Sequence, residues 1–193
     1  TAGLEYNRDN LKDDMWGYNR YTKQTVNIGS AFLQNEWKNE KWSILLGGRL
    51  DKHNLINHVI FSPRANLRFN PSEDINLRLS YSSGFRAPQA FDEDLHIENV
   101  GGTVSMIERA KNLKEEKSQS FSASADMYHR FGAFQVNFLV EGFYTRLSDV
   151  FVLENIGERD GILIKERRNG SGAKVLGLSM EGKMAYLSLF QLQ

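Results

Sequence analysis

The chain has 193 residues, with 24 basic and 24 acidic side chains, so no electrostatic case exists for nucleic acid as a partner. It contains no cysteine, which excludes a disulfide framework and any thiolate metal site. Aromatic residues are plentiful and proline scarce, a balance that argues against disorder, and no stretch approaches ~20 consecutive apolar residues, so no transmembrane helix is expected.

A spanning β-barrel stays open, because its strands show only alternating hydrophobicity. The N-terminal TAGLEYNRDN has no basic region followed by an apolar run, so no signal peptide is expected in it. Ala2 to Asn7 reads as a short strand, followed by a long loop from Arg8 to Gln24. Thr25 to Lys38 reads as a long strand, with Ala31 and Leu33 on one face and Phe32, Gln34 and Glu36 on the other. Trp42 to Asp51 follows, setting Trp42, Ile44, Leu46 and Leu50 against Ser43 and Arg49. The clearest hairpin is His58 to Asn70 with Asp74 to Phe85. Its period of two predicts that Arg64, Arg68 and Arg78 share one face and Leu67, Phe69, Leu77 and Leu79 the other. Proline lacks the amide hydrogen a ladder needs, so pairing should stop near Pro88.

Ala87 to Glu116 reads as a loop of ~30 residues, in which part of Thr103 to Leu113 could form a short turn. Lys117 to Arg130, Ala133 to about Asn155, and Lys174 to Tyr186 complete about eight strands, with a loop at Ile156 to Gly161. Short and long connections alternate. Tight ones fall at Asn39–Glu40, Asn70–Asp74 and Phe131–Gly132, and long ones lie between them. In an antiparallel meander that puts all tight turns at one edge and all long loops at the other, the asymmetry of outer-membrane barrels. Arg49, Arg64, Arg68, Arg78, Glu36, Glu141 and Glu181 are too costly to desolvate for a tight interior and suit water or a wide lumen. Trp42, Phe69 and Tyr186 fall at the tight-turn edge, where an interfacial aromatic belt belongs, although simple packing would also place them there. The expected fold is all-β: an antiparallel up-and-down meander, a segment of a large transmembrane β-barrel. The competing class is a soluble or surface β-sandwich acting as a binding or adhesion module, its apolar faces meeting in a common core.

The ordered series FLQNEW, GGRLD, SPRANLRFNPSEDINLRLSYSSGFRAP and NLKEEKS resembles the barrel of TonB-dependent outer-membrane receptors over Phe32 to Ser118. That family carries F-x-Q-x-E, then G-x-R-x-D, then S-P-R, then G-F-R-A-P, then a loop returning through N-L-K-P-E. Glu115 stands where the family would place proline, which should loosen the loop's return slightly. The resemblance implies an active transporter in the outer membrane of a Gram-negative bacterium, crossing it many times among outer-membrane lipid. It would import a scarce nutrient (an iron chelate, haem or cobalamin) with energy relayed by TonB. Such receptors have a plug domain inside a barrel of about 22 strands. No plug is recognisable in residues 1–193, which read as a single piece, roughly a third of a barrel wall.

The resemblance also assigns candidate residues. Phe85, Arg86, Ala87 and Pro88, with Ser62, Pro63 and Arg64, are family-motif positions with structural roles, Arg86 anchoring its strand end. In the long loop, His96 falls between the F-R-A-P and N-L positions, where haem receptors of the family place a histidine; it is either an axial haem ligand or a solvated loop residue. Asp92, Glu93 and Asp94 either hold a hard cation or form an ordinary charged loop. Gly101–Gly102 would let the backbone bend close to a ligand. Trp16, Tyr18 and Tyr21 either stack on a flat ligand or fold their loop on itself. No cofactor and no metal site is expected. An enzyme is not expected either, since there is no G-x-S-x-G, no phosphate loop with its lysine and no histidine pair spaced for a metal.

Overall fold

The computed structural model describes residues 1–18, 20–90, 98–100, 103–187 and 190–192. The wall strands are β1 (Ala2–Met15), β2 (Arg20–Lys38), β3 (Trp42–His53), β4 (Val59–Ser72), β5 (Ile75–Arg86), β8 (Glu116–Phe131), β9 (Phe134–Ser148), β12 (Ala173–Tyr186) and the short β13 (Phe190–Leu192). They form one sheet in the order β1-β2-β3-β4-β5-β8-β9-β12-β13, and every pair is antiparallel. The meander expected from the sequence is therefore the architecture of the wall.

Register carries the two-faced pattern across the sheet. Arg68 pairs with Arg78, Leu67 with Leu79 and Phe69 with Leu77, so basic and apolar residues separate as the alternation predicts. The apolar row continues sideways through Leu79, Ala123, Gly142 and Leu178. Among the described residues nothing covers this outer face: Leu4, Leu33, Leu79, Phe121 and Leu178 are all at least half exposed. The core is correspondingly small, a cluster of Ile56, Ile60 and Ala87 against Phe85 at the loop edge. The sandwich alternative fails here, since it needed the apolar faces to meet in a common core.

Tight turns at 39–41, 73–74 and 132–133 share one edge. Asn39 closes the first, its Oδ1 accepting from the Lys41 and Trp42 amides, and Gly132 supplies a left-handed φ of 58° to the third. Trp42 stacks on Phe69 at 4.0 Å and Phe134 lies 4.7 Å from Tyr186 along this edge. The rings pack on one another along this edge.

Four expectations are corrected at the other edge. Arg8 to Gln24 is not a loop: β1 and β2 pair without a break up to Met15↔Arg20, closed by a 3-10 turn at Trp16–Tyr18. Ala133 to Asn155 is not one strand; the chain turns at Asp149 (φ 54°) and starts β10 (Phe151–Arg159). Ile156 to Gly161 is not a loop either, because β10 turns at Asp160 and Gly161, both with positive φ, into β11 (Ile162–Asn169). Thr103 to Leu113 supplies strand β7 (Thr103–Arg109), which pairs with β6 (Glu98–Val100) on one side and with β11 on the other. The result is a second sheet, β10-β11-β7-β6, whose β11–β7 pair is parallel, so the antiparallel rule holds for the wall and fails for the loops.

Candidate functional site at the loop edge

The inner face presents the motif residues as a connected polar surface. Arg49 sits opposite Phe32 and two residues from Asp51 on the same face of β3. Its Nε donates to Asp51 Oδ1 at 2.8 Å, one terminal nitrogen reaches Glu5 Oε2 at 2.8 Å and the other reaches Ser30 Oγ at 2.8 Å. Ser30 Oγ donates to Asp51 Oδ1 at 2.6 Å, so the carboxylate of Asp51, only 3% exposed, accepts from both Arg49 and Ser30. Lower on the same face, Ser43 donates to Glu36 at 2.6 Å. Next to it a trough of about 380 Å³ runs between Arg68, Arg78, Ser124 and Glu141. These groups need water or polar partners, the environment of a wide lumen.

At the loop edge, β5 delivers the chain into the long connection. Phe85 and Ala87 pack on Ile56 and Ile60. The Gln89 amide donates to Ala87 O, and the Ala90 amide donates to Gln24 Oε1 at 2.8 Å. Arg86 lies 5.6 Å from the centre of the Phe151 ring. Pro63 has no amide hydrogen, and the β4–β5 ladder goes no higher than Arg64↔Ser82. Above it, β4 stays paired with β3, and β5 with β8. A crevice of about 210 Å³ opens in the seam between Ser62, Gly84 and Gln119. Pairing of β5 with β8 ends at Arg86↔Glu116, just short of Pro88 as expected.

The loop returns through Glu115, which is buried. Its Oε1 is 3.1 Å from His58 Nε2 and 3.0 Å from Lys117 Nζ. Burial works against the charge, but the Lys117 hydrogen bond, the backbone and the charges of Lys117 and His58 outweigh it and hold the carboxyl below the usual glutamate range. The expected loosening at this position is thus reversed, since Glu115 ties the loop to the β3–β4 turn. Nearby, His53 is fully buried, its Nδ1 accepting from the Leu55 amide at 3.0 Å. Its Nε2 is buried without a hydrogen-bond partner, and burial pushes the imidazole below the usual histidine range, with Gln89 acting the other way.

Of the candidate ligand residues, the three described ones share the end of one hairpin. Trp16 is at the tip of the β1–β2 hairpin, 87% exposed, and Tyr18 belongs to the same turn. Tyr21 pairs with Asp14, with Lys12 Nζ 6.0 Å from its ring centre. The pairing of β2 with β3 ends at Ile28, so about eight residues of the hairpin, some 25 Å, stand beyond β3. Asp92, Glu93, Asp94 and His96, like Gly101–Gly102, lie outside the described residues. No group of three or more metal-ligating side chains occurs among the described residues. No described helix is long and apolar enough to cross a membrane, which says nothing of strands.

A profile of the TonB dependent receptor-like β-barrel family matches residues 1–192. The chain belongs to the TonB-dependent receptor β-barrel family. No curated protein sequence matches this family member. Among solved structures, the siderophore receptor PirA from Pseudomonas aeruginosa superimposes with a TM-score of 0.77 at 19% identity, over 95% of this chain and 35% of that one. The ferric enterobactin receptor PfeA from the same organism gives 0.71 at 18% identity, over 98% and 31%. The hemophore receptor HasR of Serratia marcescens, in a complex with its hemophore HasA and heme, gives 0.68 at 14% identity, over 95% and 36%. These likenesses show the TonB-dependent receptor barrel fold, and the chain spans about a third of the length of each structure.

Sequence reasoning missed three features of this edge. The Arg49–Asp51 pair was available from opposite charges two residues apart on one strand face. The β10–β11 hairpin was signalled by Asp160–Gly161, a strong two-residue turn pair. Asn169, which joins two loops, carries no local signal.

Proposed function

We propose that the chain is wall and loop structure of an outer-membrane active transporter that imports a scarce nutrient with energy relayed by TonB. The carrying observation is the division of the sheet. An uncovered apolar face suits lipid, a charged face suits a hydrated lumen, and elaborated loops stand on one edge only. The cargo class is an iron chelate, haem or cobalamin. The names of PirA and PfeA and the HasR complex favour the first two. The remaining partners are TonB, a plug domain and outer-membrane lipid of a Gram-negative bacterium, and the role is transport rather than catalysis.

Recognition is assigned to the loop from Ala87 to Glu116. Asp92, Glu93, Asp94 and His96 are its candidate contacts, with Trp16, Tyr18 and Tyr21 on the neighbouring hairpin as stacking groups. Phe85, Arg86, Ala87, Pro88, Ser62, Pro63 and Arg64 hold the loop's root. The test is uptake by a receptor lacking residues 89–113. It should still reach the outer membrane yet lose high-affinity uptake of ferric siderophore, haem and cobalamin. His96→Ala alone should abolish haem uptake if haem is the cargo and leave siderophore uptake intact. Full uptake of every cargo by the loop-deleted receptor would overturn the assignment.

A further inference from the structure

Among the described residues, the long loop pairs with itself only briefly, over the three positions of β6 and β7. Its strand β7 finds its main partner in β11, 58 residues further along the chain, with six parallel pairs from Ile162↔Val104 to Arg167↔Arg109. On its other side β7 has only the three pairs with β6. A two-stranded ribbon of that size is not stable in water by itself, so order in β7 depends on the next loop of the wall.

Asn169, the last residue of β11, closes the arrangement. Its Oδ1 accepts from the Lys114 amide at 2.7 Å while its Nδ2 donates to the Lys114 carbonyl at 3.0 Å. The carboxamide therefore binds both backbone groups of one residue, as a ladder neighbour would. Nδ2 also donates to Asp149 O at 2.8 Å. Three segments meet at this side chain: the return of the long loop, the exit of β9 and the end of β11. The Ala110 amide donates to Arg167 O at 2.9 Å and the Phe151 amide to Glu116 Oε2 at 2.8 Å, crossing the same junction. Arg159 pairs with Glu108 at 2.9 Å further out.

We propose that the long loop and the β10–β11 hairpin are one recognition unit, with Asn169 as the positioning residue that holds the long loop in its ligand-meeting shape. This rests on the reading that the loops of this edge bind the cargo, but its mechanical half can be read without any cargo. Asparagine is required because the site needs a donor and an acceptor side by side. Aspartate keeps the acceptor, loses both donors and sets a negative charge against two carbonyl oxygens. Leucine, of similar size, loses all three bonds.

The experiment is hydrogen exchange on the complete receptor in detergent, followed in peptides covering 103–109, with ferric enterobactin and haemin as binding probes. Asn169→Leu and Asn169→Asp should each speed exchange in 103–109 at least about tenfold, while wall peptides such as 75–81 stay unchanged. A disulfide between cysteines placed at the paired positions Val104 and Ile162 should restore protection in the Asn169→Leu background. Affinity for whichever probe the unaltered receptor binds should fall at least about tenfold in Asn169→Leu and recover with the disulfide. Unchanged exchange in 103–109, in both variants, would overturn the coupling. Faster exchange with unchanged probe affinity would overturn the positioning role. If neither probe binds the unaltered receptor, the iron-cargo reading fails, and the exchange result still decides the coupling.

Discussion

Replacing Leu79 with arginine separates a lipid-facing wall from a water-exposed one. Leu79 is the fifth residue of β5, on the outer face between Leu67 and Ala123, and 54% exposed. At about 3.4 Å per residue and a tilt near 40°, it stands about 10 Å above Ile75. That is within a few ångströms of the middle of an apolar band about 25 Å tall. Arginine at that depth costs about 2–4 kcal/mol, a loss of about 30- to 700-fold in the folding equilibrium constant. On a surface that met water, the same change would stay within about 0.5 kcal/mol. Ser124→Arg is the control, because Ser124 lies on the inner face between Arg78 and Glu141 and its new charge would remain hydrated. The assay is urea-dependent folding of the complete receptor into lipid vesicles, read by tryptophan fluorescence. Leu79→Arg should shift the midpoint strongly and Ser124→Arg little. Equal, small shifts for both would refute the assignment of the outer face to lipid.

Three further outcomes follow from the geometry. Arg49→Ala leaves buried Asp51 with Ser30 alone, and in the same unfolding assay should cost about 2–3 kcal/mol; Arg49→Ala with Asp51→Ala should recover part of that loss. Glu115 has a depressed folded pKa, so its contribution is present at neutral pH and is lost as pH falls through that pKa, on the acid side of the ordinary glutamate range. Exchange protection at 114–118 should therefore drop in that acid window, and Glu115→Gln should lower it at neutral pH and flatten the pH dependence. Trp42 and Phe69 should show a coupling of about 0.5–1.5 kcal/mol in a double-alanine cycle, as their 4.0 Å stack requires.

The wall was legible because its two faces carry opposite chemistries on alternate residues, one apolar and one polar. Ile75 to Tyr81 and Ala65 to Phe69 show that alternation without interruption, and their register follows it. The pattern fails where both faces meet water. Along Arg8 to Asp14 and Arg20 to Gln24 polar residues occupy both faces, so nothing in the side chains announces a hairpin that the backbone ladder nonetheless holds. The β11–β7 pair was invisible for a different reason. A parallel ladder between two loops leaves no turn sequence, and its partners are separated by two wall strands. Of the candidate site, the loop's root was readable from GFRAP, whereas the grip of Glu115, paired with Lys117, on His58 depends on two distant segments meeting.

The account rests most heavily on which face of β5 meets lipid, and a cysteine scan from Asn76 to Ser82 tests that directly, since the 193 residues contain no cysteine of their own. Each introduced cysteine would carry a small fluorophore in the complete receptor, reconstituted in vesicles containing brominated lipid and then challenged with an aqueous quencher. The account predicts lipid quenching at positions 77, 79 and 81 and aqueous quenching at 76, 78, 80 and 82. Uniform aqueous quenching along the strand, or the two sets exchanged, would contradict it.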